Sequence, residues 1–204
     1  MGNQVILSTA YLPPLQYFSK LIKYDEVLIE AHENFIKQTY RNRCNIYGAN
    51  GLLTLSVPVK KTSTKTKIKD LYIDYDTNWR KLHWKSIESA YRSSPFFEFY
   101  ADYFEPFYHK KYQFLIDFNH DLIETIADQL EIDLSIRYTE KYMHGEEVDG
   151  DDFREVIHPK KELDDSDFVS KEYFQVFAEK HHFIPNLSII DLLFNTGPEA
   201  LNYL

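Results

Sequence analysis

Two short β-branched runs flank a proline-opened amphipathic segment within the first thirty residues, and no other feature of the sequence restricts the fold as strongly. "QVILS" (Gln4 to Ser8) reads as a strand. Ala10-Tyr11-Leu12-Pro13-Pro14 ends it, because proline lacks an amide donor and pre-sets the φ of a first helical turn. Leu15, Phe18, Leu21 and Ile22 then recur at helical spacing, and "EVLIE" (Glu26 to Glu30) reads as a second strand. Strand, helix, strand is the pattern of a βαβ unit, although a connection this short serves a mixed sheet equally well.

Further along, "RNRCNIYG" and "LLTLSVPV" flank Ala49-Asn50-Gly51, and an asparagine-glycine pair tolerates positive φ, so the spacing predicts a hairpin. Pro58 sets the end of its second strand at an edge or a bulge. Lys60 to Lys67 is expected as a basic loop, and "IKDLYIDY" alternates as a further strand does. From Trp79 to about Ile132 the period becomes helical. One helix runs from Trp79 to near Ser94-Pro95, a second over Phe96 to Tyr108 and a third over Tyr112 to Leu130. "LSIRYTEKY" returns to the sheet, and the chain closes with a strand-like "YFQVF" and two short helices, the first capped by Asn186 or Ser188. The expected class is α/β, with mixed α+β as the alternative: a strand-rich N-terminal half carrying a mixed sheet and a helical second half packed against it. All 204 residues are expected to form a single domain with an acidic loop insertion at about 143–170.

Charge is unevenly divided. Residues 1 to 102 hold 14 basic and 10 acidic side chains, whereas the remainder holds 9 and 22, so an anion is better received by the front half. The acidic excess lies mainly between Glu140 and Glu172 and reads as a solvated loop, since its carboxylates lack the regular spacing of a cation-binding loop. The overall acidity and the absence of a phosphate-tracking stripe argue against nucleic acid. No apolar run is long enough to span a bilayer, the N-terminus lacks a charged signal region, and one cysteine forms no internal disulfide; a cytoplasmic location is expected. Aromatic residues make up 16% of the chain, which points to ring packing first and carbohydrate contact second.

Three stretches carry candidate chemistry. The loop after the first strand offers Ser8, Thr9 and the start of the Pro14 helix to an anion, although two prolines remove donors there. If 41–46 is a strand, Arg41, Arg43 and Asn45 share one face while Asn42, Cys44 and Ile46 share the other. Arginine grips a carboxylate or phosphate bidentately and asparagine orients a hydroxyl beside it, but a solvent-facing hairpin with snorkelling arginines explains the same residues. On "NWRKLHWKSIESAYRSSPFF", Arg80 and Trp84, or Lys81 and Lys85, lie one helical turn apart, and His83 is either a general base or a structural histidine. No phosphate loop, CxxC, HExxH or nucleophile-elbow pattern occurs.

Four stretches, "AYLPPLQYFSKL", "KQTYRNRCNIYGANG" with the following "LTLSVPVKK", "NWRKLHWKSIESAYRSSPFFEFY" and "NLSIIDLLFNTGPEAL", together resemble the WbqC-like proteins nearly end to end. The resemblance implies an origin among bacterial O-antigen and surface-polysaccharide genes, and a glycine-type aminoacyl or acyl transferase acting on a nucleotide-linked or lipid-linked sugar. A non-catalytic sugar-intermediate-binding or scaffold protein of the same pathway is the alternative. The family commonly opens with His-Gln-Pro-Asn-Tyr-Leu-Pro; here Tyr11-Leu12-Pro13 remain, and Leu7, Ser8, Thr9 and Ala10 stand in the first four places. Lys37, the Asn42-Arg43 pair, Trp79-Arg80-Lys81, His83 and Tyr91 match. The expected roles follow. Arg43 with Lys37 binds phosphate or carboxylate, Asn42 orients the acceptor, and His83 or Glu30 takes its proton. Tyr11, Asn45, Trp79, Arg80, Lys81 and Tyr91 line the substrate. No metal is expected, and no cofactor, donor or acceptor identity is legible.

Overall fold

The computed structural model describes residues 3–60, 65–162 and 165–204; positions 61–64 of the expected basic loop lie outside the described residues. The opening strand–helix–strand pattern is realised as β1 (Gln4–Leu7), α1 (Leu15–Lys23) and β2 (Glu26–Ile29), and β1 and β2 pair in parallel from Gln4↔Glu26 to Leu7↔Ile29. Val5, Ile6 and Leu7 are all fully buried, as in a strand covered on both faces. The predicted hairpin forms β3 (Arg43–Gly48) and β4 (Gly51–Ser56), with Gly48 opposite Gly51 and the positive φ of +99° carried by Gly51.

The helical stretch resolves into α2 (Trp79–Tyr91), α3 (Phe97–Phe104) and α4 (Leu115–Gln129), whose buried stripe is Ile116, Leu122, Ile123 and Ile126. The second half also returns to the sheet twice. β5 (Ile136–Tyr138) pairs in parallel with β2, and β6 (Asp151–Asp152) pairs in parallel with β1, giving the order β5-β2-β1-β6. That sheet is wholly parallel, and among the described residues antiparallel pairing is confined to the hairpin, the small ribbon β7 (Ile157–His158)–β8 (Lys161–Glu162) and isolated bridges. The chain ends in α5 (Ala178–His181), α6 (Ile189–Thr196) and a 3-10 segment to Tyr203. Backbone bonds from Leu15 N to Leu187 O and from Ile189 N to Pro13 O dock this end onto the start of α1.

Four local expectations change. "IKDLYIDY" is a 3-10 turn at Ile68–Asp70 with isolated bridges at Tyr72 and Ile73, because Ile68 and Leu71, three apart, are the residues buried. Residues 173–177 form no strand, since Tyr173 and Gln175 turn to Asp191 instead of pairing with a neighbour. Ser188 occupies the N-cap of α6, but its hydroxyl donates to Leu12 O at 2.8 Å, so it ties two segments together rather than capping. The acidic stretch is not a solvated loop throughout: Tyr24 donates to Asp151, Arg154 pairs with Asp152, and buried Lys20 meets Asp165 at 2.7 Å. Specific partners neutralise its carboxylates and draw it onto the sheet edge. No described helix is long and apolar enough to cross a membrane.

Candidate functional site

Parallel strands release their chain at one end of the sheet, and ligand sites of such sheets gather there. Ser8 and Thr9 follow β1 at that end, and Glu30 follows β2. The chain then passes through Glu33 to a 3-10 turn, Tyr40–Asn42, before β3 begins at Arg43. Arg41 therefore leaves the turn independently of strand alternation, and the expectation of a strand over 41–46 fails at its first two residues. Its guanidinium is buried, at 3% exposure, and meets Glu33 bidentately: Nε donates to Oε1 at 2.8 Å and Nη2 to Oε2 at 2.6 Å. Nη2 also donates to the Ser8 hydroxyl at 2.8 Å.

Ser8, Thr9, Ala10, Tyr17, Arg41 and Arg154 line a narrow crevice here, whose free volume of about 10 Å³ is that of one water-sized group. Tyr17 donates to Ser8 O at 2.8 Å. Asn119 of α4, fully buried, donates to Thr9 Oγ1 at 3.0 Å and to Arg41 O at 2.8 Å, so it fixes the loop and the turn together. On the other side Arg154 spans the sheet edge: Nε and Nη2 clasp Asp152, while Nη1 reaches Met143 O at 2.7 Å and Glu30 Oε2 at 3.2 Å. Burial alone would raise the Asp152 pKa, but the Arg154 hydrogen bonds outweigh it and hold that carboxyl below its usual value.

Glu30 accepts from His32 N, Thr139 Oγ1, Met143 N and Arg154, so its carboxylate orders the surrounding loops. Arg43 is half-buried with its Nε enclosed and unpaired among the described residues, and it stands opposite Ser56 in the hairpin. Asn42 donates to Val57 O at 2.8 Å, and Asn45 accepts from Thr54. Lys37 is exposed and makes no ion pair among the described residues. None of these four lines the crevice, whose wall and supports are instead Arg41, Arg154, Glu33 and Asn119.

Behind the hairpin a second cluster forms. Tyr11, fully buried, lies 3.0 Å from His83 Nδ1 and 2.9 Å from the Tyr108 hydroxyl, making a three-residue relay. Burial pushes the His83 pKa down to about 4, only partly offset by a hydrogen bond to the Ser56 backbone, so at neutral pH the ring is uncharged and accepts from Tyr11. Trp79 packs edge-on against His83 and donates to Asp74 O. Arg80 donates to the carbonyls of His109 and Lys110. Tyr91 is distant in role: its hydroxyl donates to buried Asp191 at 2.8 Å and accepts from Tyr47 N. The sequence had no local signal for Glu33, Asn119 or the Arg154–Glu30 contact, whose partners lie 8 to 124 residues away.

Fold and crevice thus define a parallel α/β protein with a buried arginine–carboxylate centre at its strand ends. The chain belongs to the WbqC-like protein family, which it matches over residues 9–203. It is also similar to the uncharacterized protein Rv1507c of Mycobacterium tuberculosis, at 29% identity over 230 aligned positions covering all of this chain and 98% of that one. No solved structure matches.

Proposed function

We propose that the protein is a transferase of bacterial surface-glycan assembly that moves an aminoacyl group from an activated donor to a nucleotide-linked or lipid-linked sugar. The carrying observation is Arg41: a buried guanidinium held rigid by Glu33 and Ser8 on the wall of a narrow crevice at the strand ends. Surrounding charge supports an amino acid over a phosphate in this crevice. Glu30, Glu33, Asp152 and the more exposed Glu155, 3.8 Å from Arg41, outnumber the two guanidinium groups they face, so a guest carrying an ammonium is favoured over an anion. In the transfer the acceptor oxygen or nitrogen bonds to the acyl carbon, and the donor's activating group leaves with the bonding electron pair. The acceptor proton passes through Tyr108 and Tyr11 to His83, while Glu30 acts as a positioning residue.

The test is complementation of a deletion strain followed by mass spectrometry of its surface polysaccharide. The deletion is expected to lose one defined substituent with the backbone intact, whereas loss of whole chains would favour a scaffold. Arg41→Met leaves Glu33 buried and unpaired and costs about 3–5 kcal/mol of stability. Arg41→Lys, which keeps the charge and loses the fork, is therefore the informative variant: a folded protein that fails to restore the substituent is expected. Full restoration by that variant would remove Arg41 from the reaction.

A further inference from the structure

A second recess lies between α2 and the 3-10 turn Glu105–Tyr108. Its volume of about 480 Å³ accommodates a sugar- or nucleotide-sized guest. Trp84 and Tyr108 form its aromatic wall, their rings stacked with centroids 5.7 Å apart. Lys81 and Lys85, one helical turn apart, stand on its rim exposed and without an ion pair among the described residues. The carboxylates present are Glu88 and Glu105, and Glu105 is already engaged by His109 at 3.1 Å. Arg80 pins the opposite wall through the carbonyls of His109 and Lys110, so the groove is pre-shaped.

From this juxtaposition we infer that the groove binds a glycosyl diphosphate: the apolar face of the sugar lies on Trp84, and the diphosphate is held by Lys81 and Lys85. Ring burial and cationic neutralisation are the two attractions the groove offers, and a sugar bearing a diphosphate is the ligand class that uses both. Tyr108, whose hydroxyl meets that of Tyr11 at 2.9 Å, lines the groove as well. The assignment of this guest as the acceptor rests on the proposed transferase reading; its binding does not.

The experiment is titration of the intact protein, without any acyl donor, by tryptophan fluorescence and calorimetry. The probes are UDP-N-acetylglucosamine and a short-chain polyprenyl diphosphate-linked N-acetylglucosamine, with UDP alone as control. Binding of either sugar probe is expected, and which of the two binds identifies a nucleotide-linked or lipid-linked source. Lys81→Gln with Lys85→Gln is expected to weaken it at least tenfold and to flatten its salt dependence, and Trp84→Leu to weaken it about as much. These positions are exposed or half-buried, so unchanged melting temperatures serve as the folding control. The inference is overturned if neither sugar probe binds, if UDP alone binds as tightly as its sugar conjugate, or if the folded variants bind within twofold of wild type. Because no donor is present, failure of the crevice reading leaves this result standing, and failure here leaves the crevice reading standing.

Discussion

His83 and Asp191 are buried groups whose proton affinities move in opposite senses. Burial pushes the Asp191 carboxyl up to about 6, against three donors from Tyr173, Tyr91 and Gln175, and it pushes the His83 imidazole down to about 4. For His83 the folded pKa lies below the unfolded one, so its contribution is complete above about pH 6.5 and is lost as pH falls towards 4, roughly 3 kcal/mol in all. Asp191 has a raised folded pKa; its contribution is complete below about pH 3.8 and is lost as pH rises through 6, by a similar amount. Between pH 4 and 6 the two nearly cancel. Melting curves across that window are expected to show a steeper acid loss in Asp191→Asn than in wild type, and a shallower one in His83→Gln. Equal slopes for the three proteins would remove this pair from the pH response.

At the scale of elements, β6 is the two-residue strand that carries Arg154 to Glu30, and it is set by a close approach. A Cβ added to Gly150 would stand 2.2 Å from Gln4 O, so no side chain fits between this turn and β1. Gly150→Ala is expected to lift β6 from the sheet and cost about 1–3 kcal/mol, read as faster amide exchange at residues 151–154 while α2 stays protected. Unchanged exchange there would mean that β6 is held by Arg154 and Tyr24 alone. The hairpin behaved differently: Asn50-Gly51 and two apolar flanks announce it locally, and the structure places it where the sequence does. The sequence reading went wrong on Arg41 because strand alternation was extended into residues that form a 3-10 turn. Once the chain turns, spacing no longer tells which way a side chain points.

Over the whole molecule, the first half supplies the two inner strands and the second half both outer ones. A fragment ending at residue 132 would leave β1 and β2 with two open edges and would remove α6, whose Ile189, Leu192, Leu193 and Phe194 are fully or almost fully buried. That fragment is expected to lack near-ultraviolet circular dichroism and to expose hydrophobic surface, and a cooperative melting transition would contradict it. Family membership, the βαβ opening, the hairpin and the three central helices were determined by the amino-acid order itself, because periodicity, prolines and an asparagine-glycine turn act over a few residues. Which arginine faces the crevice, and that two residues of the acidic segment supply a sheet edge, were decided only by tertiary structure. Glu33 with Arg41, Glu30 with Arg154 and Thr9 with Asn119 are matched by packing across the sheet, and burial gives those pairings their strength.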